Sequence, residues 1–218
     1  MALPQPAPLT APEVAQPRLR HAPLSPFARK VVVVAHELGV LDRIEIVPCD
    51  VWAPDTDIAG DNPLGKVPAL RTAAGAIIGA TLICEWLGTL APEHPLLPQE
   101  PAARWAALRA HAVADGIMEA AVTYTMERMR RPQDKIWEGW LERQEGKICR
   151  GLAHLAALPA EERANIDLYT LTLGCTLGYL DFRLPHLDWR ADHPQLASFE
   201  ATISERPSLQ ATAPVRFI

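Results

Sequence analysis

A proline at the mouth of an apolar segment is the tightest local constraint in this chain. The run Asn62-Pro63-Leu64-Gly65-Lys66-Val67-Pro68-Ala69-Leu70 reads as turn residues leading into a strand. Proline removes one ladder donor, so it is confined to a strand's first residue or edge, and the bond before it is open to the cis form. A second informative string stands upstream. In Ser25-Pro26-Phe27-Ala28-Arg29-Lys30 a serine precedes a proline and an apolar run through Val34. Serine accepts from the open N–H groups of a first turn, and proline's fixed φ suits the first helical position. The string therefore predicts a helix start.

Around these strings the hydrophobic periodicity predicts β-α-β followed by β-β-α. Leu19 to His21 is a first short strand, Pro26 to Leu38 the first helix, and Gly39 its stop. Arg43 to Val47 alternates at the strand period. Residues 50–65 are rich in turn formers, with room for one helical turn. Val67 to Arg71 and Ala76 to Ile78 flank Thr72-Ala73-Ala74-Gly75 and predict a hairpin, and Ala80 to Thr89 a helix. Pro92, Pro95, Pro98 and Pro101 then crowd residues 91–101, which read as a linker. From 102 to 218 no strand signal recurs. Helices are predicted over about 102–130, 134–158, 167–182 and 194–205, the third apolar nearly all round and therefore central. Residues 1–17 carry Pro4, Pro6, Pro8, Pro12 and Pro17 and predict an extended arm. The expected organisation is an arm (1–17), an α/β domain (18–90), a linker (91–101) and an all-helical domain (102–218).

A formal net charge of −5 over 218 residues provides no basic field, which argues against nucleic acid as a partner. No run approaches the ~18 apolar residues of a membrane span, and the N-terminus lacks a secretory pattern, so the cytoplasm is expected. Cys49, Cys84, Cys149 and Cys175 form no C-x-x-C pair and read as buried, reduced thiols. The seven histidines show no spacing typical of metal ligands, and no phosphate loop or nucleophile elbow is present.

The order of a small βαβ-ββα unit, a proline-rich linker and a helical bundle resembles the glutathione S-transferase family. The likeness runs from about Arg18 to Pro214. The strings Ala114-Asp115-Gly116-Ile117-Met118-Glu119-Ala120, Leu177-Gly178-Tyr179-Leu180-Asp181-Phe182-Arg183 and Arg206-Pro207-Ser208 are similar to those of its bacterial YibF-like branch. The resemblance implies a two-domain fold, a thioredoxin-like α/β domain followed by an all-α bundle. It implies glutathione as co-substrate, a small hydrophobic electrophile, a detoxifying conjugation without a metal, and a homodimer. Trp86 and Trp105 would contribute to that dimer or to the core.

The family pattern also assigns roles. Ser25 and Ala28 stand where redox relatives carry two cysteines, so dithiol exchange through this site is excluded. Ser25 is then either the activator of a thiol brought by glutathione or a helix cap alone. Phe27, Val67 and Pro68 are expected beside the tripeptide, with Lys66 either a carboxylate partner or a solvated charge. The family's Asp or Glu followed by Ser, which holds the γ-glutamyl end, is here Gly79-Ala80 followed by Thr81. That departure predicts weak glutathione affinity, with Ala80, Thr81 and the helix-start N–H groups recovering part of it. On the long helix His111, Asp115, Met118 and Val122 share one face, which reads as a substrate pocket or as interhelical core. The alternative function is a binding or scaffold protein of this fold that has lost productive glutathione binding.

Overall fold

Leu19 and Leu70 face one another across two adjacent strands, both fully buried, and the first sheet is organised around that pair. The computed structural model describes residues 16–214. The predicted arm falls outside them except for Gln16 and Pro17, which bond to Asp42 C=O (3.1 Å) and Glu45 N–H (2.8 Å). Four strands, β1 (Arg18–His21), β2 (Glu45–Pro48), β3 (Ala69–Thr72) and β4 (Gly75–Ile78), pair in the order β2-β1-β3-β4. The β1–β2 pair is parallel and the other two are antiparallel. Helix α1 (Pro26–Glu37) makes the parallel crossover, and α2 (Ala80–Gly88) follows the β3–β4 hairpin. This is the thioredoxin-like arrangement expected from the sequence.

The remaining elements are helical: α3 (Pro101–Arg130), α4 (Glu138–Ala156), α5 (Leu168–Arg183), α6 (Trp189–Asp192), α7 (Pro194–Ile203) and α8 (Pro207–Ala211). Helix α5 is buried nearly all round, as its composition requires. One apolar cluster joins Leu19, Leu70, Val31 and Val34 to Met118, Leu171, Cys175 and Leu209, so the helices pack directly against α1. Among the described residues no helix is long and apolar enough to cross a membrane.

Several boundaries differ from the sequence expectation, each for a local reason. β2 begins at Glu45, not Arg43, because Leu41–Arg43 closes a 3₁₀ turn and Arg43 reaches the carbonyl of Leu90 at 2.9 Å. β3 begins at Ala69, after the proline. Helix α4 begins at Glu138, since Pro132 is followed by a 3₁₀ turn over Gln133–Lys135. All four cysteines are free, but Cys149 is exposed on α4, not buried. Ile148 beside it is buried and Arg150 exposed, and it falls on the solvent side of the stripe formed by Leu141, Ile148, Leu152 and Leu155.

Two devices hold the parts that matter for the site. The loop ahead of Pro68 is pinned to the sheet by arginines: Arg20 on β1 pairs with Asp57 and Asp61, and Arg71 on β3 pairs with Asp61 and bonds Gly60 C=O at 3.1 Å. Asn62 then folds the loop on itself, accepting from Leu64 N–H (2.9 Å) and donating to Lys66 C=O (2.7 Å). At the base of α5, Asp167 accepts from Thr170 N–H at 2.9 Å while Asp167 N–H donates to Thr170 Oγ1 at 2.9 Å. The exchanged order of acid and hydroxyl thus still closes a reciprocal cap. Replacing Asp167 with Ala is expected to lower unfolding free energy by about 1–2 kcal/mol in urea titrations, and Asp167→Ser by less.

Candidate active site

The start of α1 is under-bonded by the protein's own groups. Ser25 caps the helix from an extended conformation (φ −84°, ψ 116°), and its Oγ accepts from Ala28 N–H at 3.2 Å. That bond uses a lone pair, and the hydroxyl hydrogen has no acceptor among the described residues. Pro26 has no N–H, Ala28 N–H is taken by Ser25 Oγ, and Arg29 N–H bonds Ser25 C=O at 2.9 Å. Phe27 N–H is therefore the backbone donor of this turn left without a partner among the described residues. No acid lies in the turn to oppose an incoming anion. One hydroxyl and one amide at the positive pole of a helix suit a thiolate.

The Val67–Pro68 bond is cis. With β3 starting at Ala69, Val67 stays outside the ladder, and its N–H and C=O make no hydrogen bond among the described residues. A free donor and acceptor on one half-buried residue can take an extended peptide as an added strand. Lys66 beside it is exposed.

The start of α2 is equally open. Gly79 occupies the cap position at φ 87° and ψ 118°, a conformation suited to glycine, with no side chain capping the helix. Ile83 N–H bonds Gly79 C=O at 3.0 Å, and the N–H groups of Ala80, Thr81 and Leu82 make no hydrogen bond among the described residues. Such an end receives carboxylates.

Thr81, in contrast, has its hydroxyl committed. Thr172 Oγ1 donates its one hydrogen to Leu168 C=O at 2.7 Å, so at 3.1 Å it can only accept from His111 Nδ1–H. His111 is 4 % exposed, and burial, then the nearby Lys30 charge, lower its pKa well below the ordinary imidazole range. The ring is thus neutral with a lone pair on Nε2, and Thr81 Oγ1, 3.1 Å away, donates to it. Lys30 Nζ donates to the same Thr81 oxygen at 3.3 Å. The hydroxyl hydrogen of Thr81 faces inward and is not available to a ligand.

Lys30 was not singled out in the sequence, yet it is the group on which this chain turns. It is fully buried and pairs with Asp115 of α3, whose side chain is 32 % exposed. The signal was present: Lys30 falls on the apolar stripe of Phe27, Val31 and Val34, where a charge needs a partner. Of the other predicted pocket residues, Met118 is fully buried in the cluster around α1, and Val122 is half-buried against the helical core. His111 and Met118 present almost no surface to a ligand, Asp115 and Val122 present some. The four recur at helical spacing along α3, but spacing carries no information on what covers them, and Met118 and Val122 pack against different clusters.

The His111 arrangement fixes a pH response. Its pKa is lowered in the fold, so the unfolded chain binds the proton more readily. Stability is complete above the unfolded pKa of about 6.5 and is lost as pH falls through it toward the folded value. His21, lowered by burial, contributes with the same sign. Melting temperature is expected to drop between about pH 7 and pH 5, with a shallower slope in His111→Gln. Parallel slopes would show that His111 takes up its proton equally in the folded and unfolded chains, against this account.

Residues 24–90 match the family model described as glutathione S-transferase, N-terminal domain. The GST-like protein YibF of Escherichia coli K12 is 31 % identical over 195 residues, covering 87 % of this chain and 95 % of YibF. A glutathione transferase family member from Pseudomonas fluorescens Pf-5, solved with bound glutathione, is 43 % identical with a TM-score of 0.88, covering 92 % of this chain and 100 % of that one. A glutathione S-transferase from Methylobacillus flagellatus KT, solved with glutathione, is 36 % identical with a TM-score of 0.85, again over 92 % and 100 %. The chain belongs to the glutathione S-transferase family, in its YibF-like branch.

Proposed function

We propose that this protein conjugates the thiolate of glutathione to a small hydrophobic electrophile, with weak affinity for glutathione. The observation that carries the reading is the uncommitted Ser25 hydroxyl and Phe27 N–H at the positive end of α1. Residues 18–90 form the glutathione-binding domain in this reading, and 102–218 the helical domain. The cysteinyl part adds to Val67 as a short strand beside Pro68, and Lys66 stands near the tripeptide's glycine end. The γ-glutamyl carboxylate sits on the free N–H groups of Ala80 and Thr81. The thiol proton passes to solvent, the sulfur anion rests on Ser25 and Phe27, and its electron pair forms the C–S bond as the leaving group departs with its own pair. The electrophile lies against α3 near Asp115 and Val122, over a wall backed by Met118 and His111.

Support comes from the relatives solved with glutathione at 43 % and 36 % identity. The missing acid and hydroxyl at Gly79-Ala80 account for weak affinity. A charge-assisted hydrogen bond contributes about 1.5–3 kcal/mol, and each 1.4 kcal/mol is roughly tenfold in affinity. A homodimer is part of the reading. Leu82 on α2 and Trp105 on α3, 60 % and 63 % exposed, give it apolar surface, while Trp86 is half-buried. A cytoplasmic, detoxifying role fits the four free thiols.

A second reading, a non-catalytic scaffold of this fold, is favoured by Gly79-Ala80 and by the inward commitment of Thr81. Calorimetry with millimolar glutathione separates the two: saturable heat is expected, and none at all selects the scaffold. Ala80→Ser should tighten binding by about tenfold if its new hydroxyl reaches the carboxylate. Conjugation of a chloronitrobenzene should fall at least about tenfold in Ser25→Ala, and equal rates would remove Ser25 from the chemistry.

A further inference from the structure

We propose that a second ligand site lies between α1, α5, α7 and α8, and that it takes a small zwitterionic amino acid with an apolar side chain. A cavity of about 370 Å³ opens there, within the range of small-molecule pockets. Gly178, Asp181 and Phe182 of the α5 string Leu177–Arg183 line it. Arg29 of α1 lines it too and is 8 % exposed. Nε of that guanidinium donates to Thr212 Oγ1 at 3.2 Å, and Nη2 donates to Leu209 C=O at 3.0 Å. Nη1 is buried and has no hydrogen-bond partner among the described residues. An unpaired donor on a buried cation is costly, so this nitrogen calls for an acceptor.

Residue 178 leaves room for one. A Cβ built there would meet, beyond its own helix turn, only the guanidinium, with Nη1 at 3.0 Å and Cζ at 4.0 Å. The space beside Nη1 is therefore free of other side chains. Asp181 is occupied at both oxygens: Oδ1 accepts from Trp189 Nε1 at 2.9 Å and from Arg190, and Oδ2 accepts from Arg190 at 2.8 Å. Glu200, also on the cavity wall, gives only Oε2 to Arg190, at 2.7 Å. Its Oε1 accepts nothing among the described residues, on a side chain 16 % exposed. Arg29 and Arg190 balance Asp181 and Glu200, which disfavours a bare anion or a bare cation as the occupant. A carboxylate on Arg29 Nη1 and an ammonium on Glu200 Oε1 satisfy both open groups at once. Phe182 and Leu209 supply apolar surface for the rest of the ligand. The site stands whether or not glutathione binds elsewhere.

Calorimetry on the full chain tests it with three probes: L-leucine, leucinamide (no carboxylate) and 4-methylpentanoate (no ammonium). L-Leucine is expected to bind saturably, equally well with and without millimolar glutathione, and each analogue at least about tenfold more weakly. Gly178→Ala sets a methyl against Nη1, and Glu200→Gln keeps an acceptor while removing the charge. Each is expected to weaken L-leucine about tenfold, with circular dichroism showing the variant folded. If a variant does not fold, the three probes on the wild type decide the matter alone. No saturable heat from L-leucine would leave Nη1 facing solvent only and overturns the proposal. Displacement of L-leucine by glutathione places it at the first site and does the same. So does equal binding of either analogue, or undiminished binding in a folded variant.

Discussion

A fully buried ammonium is the constraint to which the relative placement of the helices answers. Taking a lysine charge out of water costs several kcal/mol even after relaxation, and only a well-placed partner offsets it. Lys30 comes from α1, its counter-charge Asp115 from α3, and the Thr81 oxygen from α2. His111 and Thr172 extend the same chain into α5. Each bond in that series has a fixed direction, because the last hydrogen is spent on the Leu168 carbonyl. Four helices are thereby registered against one another by polar groups inside an otherwise apolar contact. An apolar core tolerates sliding more readily than a hydrogen-bonded series whose directions are fixed.

The polar groups sort into those used inward and those left open. Thr81, His111, Thr172 and Lys30 are consumed by the interior. Ser25 O–H, Phe27 N–H, both groups of Val67 and the first N–H groups of α2 are not. Unpaired donors on the surface are ordinary, but here they stand at two helix starts and at one strand entry in the same small domain. The scaffold that holds them is stiff. The arginine clasp around Asp61 fixes the loop ahead of Pro68, and Glu37 on α1 takes Arg206 at 2.8 Å and Ser208 at the C-terminal helices. The Glu37 carboxyl is held below its usual range by these partners, against the opposing effect of burial.

Much of this was legible because its causes are local. Serine before proline, Gly39 after the first helix (φ 66°) and the Asp167–Thr170 pair each act within a few residues, and each stands where the sequence puts it. What was not legible depends on distant partners. Lys30 and Asp115 are 85 positions apart, and neither residue type reveals that the other waits across a helix contact. The spacing of His111, Asp115, Met118 and Val122 marks a shared face. Whether that face meets solvent, ligand or another helix depends on where α1 and α2 lie. Helices α6 and α8 are too short for a hydrophobic period to register. The shift of β2 came from a 3₁₀ turn whose anchoring bond is to the distant Leu90 carbonyl.

The central claim is that a sulfur anion is favoured at the Ser25 end of α1. Ultraviolet absorbance of the thiolate, followed against pH with glutathione bound and the ligand-free protein subtracted, addresses it directly. Burial pushes the Cys84 thiol up to about 12 and raises Cys175 as well, which keeps both silent in the relevant window. The account predicts a midpoint for bound glutathione clearly below the ordinary thiol value of about 8.5, moving back up in Ser25→Ala. A midpoint at or above that value in the wild type would contradict it.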